Sequence, residues 1–287
     1  MNSIVSDMLM KYRGDGDFDK HQAFREVAQQ ILLSALAQTD FFHRAAFYGG
    51  TCLRLFYGLD RFSEDLDFGI TSNDPSFDLA DYLPAIDKTF SSLGIAMQSS
   101  IRNKKQMTGV KSAYAEGKSR DILIELFPSD ERIQQIVFNQ KIRIKFDVEA
   151  DFIDGAGYEY KPLLLPFYSR IRCYDKESLF AGKIAAALSR NWKNRAKGRD
   201  FYDFAFYVSR DIRPNLSFLE MVLRHERFLL PGQKFNPAIL KSMLEERIKG
   251  LDIEQVKKDV KPFLSDHSKL SYWSKDYFLD LSSAIKL

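Results

Sequence analysis

Cysteine is nearly absent. Cys52 and Cys173 are the two that the 287 residues hold. They stand far apart in apolar or strand-like surroundings, and no Cys-x-x-Cys occurs, so neither a zinc knuckle nor a disulfide scaffold is indicated. Histidine is almost as sparse: His21, His43, His225 and His267 have no partners at metal-ligand spacing and read as surface or core residues. No apolar run reaches membrane length and no secretory leader pattern is seen, so a cytoplasmic protein without a membrane partner is expected. Repeats and low-complexity tracts are missing too. A large charge of one sign is also lacking. A net charge of +3 excludes a uniformly basic nucleic-acid binder, so any such affinity needs a local patch.

What is present suits a globular chain with a real core: 45% hydrophobic residues, with 24 Phe and 13 Tyr well dispersed. The length allows one large domain or two of ordinary size. The sequence is organised around residues 47–70. An apolar lead runs into a tight turn, Gly49-Gly50-Thr51. Cys52, Leu53, Leu55, Phe56 and Leu59 follow at helical spacing, and Arg61-Phe-Ser-Glu-Asp65-Leu-Asp67-Phe reads as a strand. Alternate strand residues share a face, so Asp65 and Asp67 point one way, with Leu66 and Phe68 towards the core. Adjacent carboxylates repel, and a divalent cation such as Mg²⁺, with its preference for hard oxygen ligands, relieves that repulsion. Glycines at a helix start let backbone N–H groups cradle a phosphate. Alone, each feature is an ordinary turn or strand end; together, about fifteen residues apart, they read as a catalytic site.

Along the rest of the chain, Ile4, Met8 and Leu9 suggest a short first helix followed by a loop. Phe24, Val27, Ala28, Ile31, Leu32 and Ala35 mark a second helix, for which Asp19 is a candidate cap. A third is expected over 78–97, its regular part delayed by Pro84 and its end set by Gly94. Residues 101–118 carry Lys104, Lys105, Lys111 and Lys118, as an exposed hairpin or a basic edge near a nucleic acid. Asp121–Phe127 reads as a strand closed by Pro128.

Residues 141–149 give a stronger strand. Ile142, Ile144, Phe146 and Val148 face the core, while Arg143, Lys145, Asp147 and Glu149 share the other face. Pro162 and Pro166 punctuate a loop before a short strand at Arg170–Tyr174, and a domain boundary is expected near 160. Asp175 should cap a helix with Ser178 in its first turn. Lys183 lies in that apolar helix, either snorkelling to solvent or reaching a triphosphate. Arg190, Lys193, Arg195, Lys197 and Arg199 surround Trp192, as a solvated loop or an RNA contact with a stacking ring. Asp200 and Asp203 fall one turn apart on one helix face. Residues 217–287 are amphipathic helices broken at Pro231-Gly232, with no catalytic constellation.

Gly-Gly-Thr, Leu-Arg-Leu and Arg-Phe-Ser-Glu-Asp-Leu-Asp-Phe, followed downstream by Lys-x6-Arg and Arg-Asp-x-x-Asp, resemble the AbiEii/AbiGii type of nucleotidyltransferase toxin, within the DNA polymerase β-like nucleotidyltransferase superfamily. The resemblance covers about residues 20–210, and Thr51 stands where many members have Ser. It implies an α/β (α+β) fold in which residues 1–160 hold a mixed sheet, spanning roughly 40–160, and N-terminal helices. A helical domain, 161–287, would contribute Lys183 and the Asp200/Asp203 helix to the cleft. It implies NMP transfer from an NTP, with Mg²⁺ (or Mn²⁺) held by Asp65, Asp67 and a third carboxylate on a neighbouring strand. That third acid is assigned to Asp147, with Glu149 and Glu125 as alternatives. Gly49, Gly50, Thr51, Arg61, Ser63, Lys183 and Arg190 are expected to bind the nucleotide, and Lys183 and Asp200 to serve in catalysis, with Asp203 next.

The resemblance also implies a toxin of a bacterial toxin–antitoxin or phage-defence pair, with a cognate antitoxin encoded nearby. RNA, with a tRNA 3′ end as the narrower form, is the implied acceptor. The rivals are a small-molecule (antibiotic-type) nucleotidyltransferase, a metal-dependent nuclease and a non-enzymatic module of the same fold.

Overall fold

The structure is a computed structural model that describes residues 3–12, 20–102, 109–118, 141–189 and 197–287. The expected strand at Asp121–Phe127 with Glu125, the Asp19 cap, Lys104, Lys105, Arg190, Trp192, Lys193 and Arg195 lie outside the described residues. The chain forms two compact units interleaved in sequence. One comprises Met1–Thr51, Glu64–Phe152 and Tyr160–Cys173; the other comprises Cys52–Ser63, Ile153–Glu159 and Tyr174–Leu287.

The first unit is built on a mixed sheet. Its described strands are β1 (Ala45–Tyr48), β2 (Leu66–Ile70), β3 (Gln98–Ile101), β4 (Val110–Lys118), β5 (Lys141–Glu149), β6 (Tyr158–Leu163) and β7 (Ser169–Tyr174). They lie in the order β3-β4-β5-β2-β1-β7-β6. β2 runs antiparallel to β1 and parallel to β5, and β4 is antiparallel to both β3 and β5. The alternation read at 141–149 holds: Ile142, Ile144, Phe146 and Val148 are buried while their neighbours are exposed or half-buried.

Helices α1 (Ser3–Met10) and α2 (Lys20–Ala37) come first, and Phe24, Val27, Ala28, Ile31, Leu32 and Ala35 of α2 are fully buried. α2 packs on β5 and on the helix Leu83–Ser92. That helix has Pro84 in its first turn and follows a 3₁₀ turn at Leu79–Tyr82, so the regular part begins late, as Pro84 implies. Phe41 meets Phe68 and Tyr82 edge to face, at centroid distances of 5.0 Å each. The apolar faces of β2 and β5 are thus filled, which leaves Asp67 and Asp147 on the opposite face.

One element departs from expectation. The segment around Pro162 is strand rather than loop, because β6 lies at the edge of the sheet, where a residue lacking an N–H breaks no ladder.

The second unit is helical. Helices Lys176–Ser189, Gly198–Val208, Leu216–His225, Pro237–Lys249, Ile253–Val260 and Lys275–Ala284 follow one another. All of their starts but that at Gly198 carry a side-chain cap. Asp175 accepts the Ser178 N–H at 2.8 Å, and Asn215, Asn236, Asp252 and Ser274 accept the N–H three residues on. The Lys176–Ser189 helix packs against Gly198–Val208 with Phe180 stacked on Tyr207, centroids 4.5 Å apart. At Gly198 the chain lies so close to Ile253–Val260 that an added Cβ would fall 1.9 Å from the Val256 carbonyl oxygen. No helix of the described residues is long and apolar enough to cross a membrane.

Candidate active site

In the first unit, β1 ends at Tyr48 and the helix Gly49–Tyr57 starts at once. Gly49 makes that change of direction with φ +82°, and its missing side chain leaves room for Asp67: a Cβ there would lie 2.5 Å from Asp67 Oδ2. Gly49 therefore puts the helix N-terminus against the Asp67 carboxylate. The expected strand is shorter than the sequence pattern suggests. β2 begins at Leu66, so Asp65 sits in the irregular stretch before it and only Asp67 is on the ladder. Tertiary contacts hold Asp65 in place. Thr51, which is 1% exposed, donates its hydroxyl to the Asp65 carbonyl, Gln29 Nε2 donates to the Glu64 carbonyl at 2.9 Å, and Arg25 pairs with Glu64 at 2.7 Å.

Strand register fixes where Asp147 and Glu149 stand relative to Asp67. Asp67 stands directly opposite Asp147 across the parallel β2–β5 pair, and opposite Tyr48 across β1–β2. Glu149 lies two residues on, opposite Gly69, and accepts the Tyr48 hydroxyl at 3.2 Å. Lys145 was not singled out from sequence, although its i, i+2 spacing from Asp147 on one strand was the signal. Its ammonium pairs with Asp147 Oδ2. Burial works against the charge of Lys145, but the bond to Asp147 and the fields of Asp147, Asp65 and Asp67 outweigh it and hold the ammonium above its ordinary pKa.

Asp147 Oδ1 is buried and accepts no hydrogen bond from any described residue. A buried carboxylate oxygen without a donor, facing a second carboxylate across a ladder, is the chemistry that a hard divalent cation satisfies, so these residues fit one. Among the described residues no group of three His, Cys, Asp or Glu stands ready-gathered for a metal.

Gly49→Ala is expected to cost about 1–2 kcal/mol of stability through its left-handed backbone. It should also lower nucleotide transfer about 100-fold by displacing Asp67. Urea denaturation beside a transfer assay checks both, and activity within twofold of the parent would overturn this role for the glycine.

The second unit contains a buried charge network. Arg61, 2% exposed, holds Asp203 with a two-pronged grip, Nε to Oδ1 at 2.7 Å and Nη2 to Oδ2 at 2.6 Å, and donates Nη1 to the Phe62 carbonyl at 2.8 Å. Lys183 Nζ lies 2.9 Å from Asp203 Oδ2 and 3.0 Å from Asp200 Oδ1. Lys183 is thus neither a snorkelling surface lysine nor buried alone. Burial opposes its charge, yet Asp203 and Asp200 outweigh that and hold its pKa above the ordinary value. The same balance raises Arg61, while burial pushes Tyr207 well up. Asp203 engages Arg61 and Lys183, residues far from it in sequence. Arg61, expected to bind nucleotide, is committed to Asp203, and Ser63 is half-buried in the irregular segment that follows.

Among curated proteins nothing matches the sequence. Solved structures do match. One is JHP933 from Helicobacter pylori, 18% identical over 93% of this chain and 92% of that one, with a TM-score of 0.52. Another is MenT4, a nucleotidyltransferase toxin from Mycobacterium tuberculosis, 14% identical over 100% of this chain and 94% of that one, also with a TM-score of 0.52. At such identities they establish the fold alone, a mixed α/β architecture. The family described as nucleotidyl transferase AbiEii toxin, type IV toxin–antitoxin system, matches residues 30–281. With nearly the whole chain covered, this protein belongs to the AbiEii family and is a nucleotidyltransferase toxin of the type IV toxin–antitoxin class.

Proposed function

We propose that the protein transfers an NMP from an NTP to RNA, with a tRNA 3′ end as the acceptor, using Mg²⁺ or Mn²⁺, and that a cognate antitoxin encoded nearby restrains it. The observation that carries the reading is the register that sets Asp67 opposite Asp147, whose Oδ1 lacks a donor, beside the glycine-started helix. Asp65, Asp67 and Asp147 would hold the metal, which when bound supplies charge neutralisation on the triphosphate. Gly49, Gly50 and the helix start hold phosphate oxygens through backbone N–H groups, as dipole and unpaired donors favour. Thr51 serves by fixing Asp65.

In the reaction the acceptor hydroxyl oxygen bonds to the α-phosphorus, the bond from that phosphorus to the bridging oxygen breaks, and pyrophosphate leaves. The hydroxyl proton passes to a carboxylate, for which Asp147 and Asp200 are the two assignments. Lys183, assigned from the family pattern, offsets charge on the departing pyrophosphate. Its ammonium is already oriented by two carboxylates, and such preorganisation is what phosphoryl-type transfer depends on.

An RNA acceptor is supported by exposed aromatic and basic side chains on β6, β7 and the turn between them. Tyr168 is 71% exposed, and Arg170 lies over the Tyr160 ring at 4.8 Å, a pairing that suits base stacking and phosphate contact.

The test is incubation with Mg²⁺, each labelled NTP in turn and total bacterial RNA, with Asp67→Ala alongside. Label entering RNA from one NTP, and absent with the variant, is the expected result. Label on a small molecule or on protein would refute the RNA acceptor, and shortened RNA without label would point to a nuclease instead.

A further inference from the structure

We propose that Ser112 is a positioning residue of the acid site: its hydroxyl donates to Oδ1 of Asp147 and orients that carboxylate for the divalent cation. This rests on the metal reading above and extends it to a residue outside the acids. Strand register places the serine. Ser112 of β4 stands directly opposite Asp147 in the antiparallel β4–β5 pair, as Asp67 of β2 does on the other side of β5. Directly opposed residues share a face. The alternation along β4 sets which face it is: Ala113 and Ala115, opposite Phe146 and Ile144, are fully buried on the core side. Asp67, Asp147 and Ser112 therefore form one row across three adjacent strands, on the face away from that core.

Two facing atoms of that row are left over. Ser112 is 3% exposed, and its Oγ makes no hydrogen bond to any described residue; the same holds for Oδ1 of Asp147. A buried hydroxyl without an acceptor is costly, and alanine would fill the same space without that cost. A spare donor and a spare acceptor at opposed positions are complementary. The Cβ atoms of such a pair lie about 4.5–5.5 Å apart, so a turn of Ser112 about χ1 brings Oγ within reach of Oδ1. Lys145 does not compete for that oxygen, because it holds Oδ2. Nor does the cation exclude the serine, since a carboxylate oxygen offers about two lone pairs, one for each. An outer donor of this kind fixes the direction in which a ligating carboxylate is presented.

The test measures Mn²⁺ binding to the full-length protein by electron paramagnetic resonance of free Mn²⁺, with and without a non-hydrolysable NTP analogue. Ser112→Ala should weaken Mn²⁺ binding about tenfold, the lower end of the usual loss for an outer-shell donor. Its melting temperature should hold or rise, because a buried hydroxyl without an acceptor has been removed. Ser112→Thr and Ser112→Val have one shape and differ in the hydroxyl, so threonine should bind Mn²⁺ about tenfold tighter than valine, whatever the added methyl does to both. A serine that merely packs in the strand would show the reverse: a lower melting temperature for Ser112→Ala with Mn²⁺ affinity kept. A gap under about twofold in either comparison, parent against alanine or threonine against valine, overturns the proposal. It does so with the metal reading intact, provided that the parent binds Mn²⁺ and Asp147→Asn loses it. If the parent binds no Mn²⁺ at millimolar concentration, or Asp147→Asn binds it as the parent does, the metal reading itself fails and this inference with it.

Discussion

Asp67→Asn should lose about a thousandfold in nucleotide transfer while keeping the fold. Under the proposed assignment Asp67 supplies charge where the triphosphate is neutralised, and loss of one preorganised electrostatic group in a transfer site typically costs about 100- to 1,000-fold. Asparagine matches the carboxylate in shape, so it fits the space that Gly49 leaves. Removing one of several adjacent like charges does not harm stability, and the melting temperature should hold or rise. Asp147→Asn should behave alike, because it is the residue directly opposite Asp67. Glu149→Gln should stay within tenfold of the parent, since Glu149 lies opposite Gly69 and is engaged by the Tyr48 hydroxyl. Transfer of labelled nucleotide, with thermal denaturation of each variant, checks the set. More than a tenth of the activity retained by Asp67→Asn would remove it from the site.

The largest effect on stability is expected at Asp203. This carboxylate is fully buried and receives Arg61 on both oxygens and Lys183 on one. Asp203→Ala leaves two buried cations with Asp200 as the acid of the network. Breaking a buried pair in this way costs about 3–5 kcal/mol, because the stranded charge keeps its desolvation penalty. For a unit of this size that corresponds to a melting-temperature fall of roughly 6–20 °C. The double variant Arg61→Met with Asp203→Leu should recover more than half of the loss, since it removes both partners and leaves Lys183 with Asp200 in balance. Asp200→Asn should cost less stability than Asp203→Ala and more activity. That contrast separates a group that holds the helices together from one that serves the reaction. Urea denaturation is the measurement, and a loss under 1 kcal/mol for Asp203→Ala would mean that water reaches the network.

Much of this was legible in local pattern. The strict alternation at 141–149, the helical apolar spacing of residues 24–35 and the cap at Asp175 each depend on neighbours a few residues away. The Gly-Gly-Thr turn, the Asp-x-Asp pair and the downstream Arg-Asp-x-x-Asp are short enough to be read directly, and they carried the family and the fold class. Pro162 misled, because whether proline breaks a strand depends on the strand's place in the sheet, and that is not a local property.

The sequence by itself determined which residues could form an acidic, glycine-started site, and which faces of the helices and strands had to be buried. Only the tertiary structure decided how those residues are paired. Register across the β2–β5 ladder set Asp147, rather than Glu149, opposite Asp67, and a slip of one residue in β5 would have turned its acids towards the core. Thr51 proved to brace Asp65, fourteen residues away, and Arg61 to grip Asp203, 142 residues away. Such pairings come from chain segments brought together by burial of apolar surface, and periodicity along the chain holds no information about which distant charge will meet which.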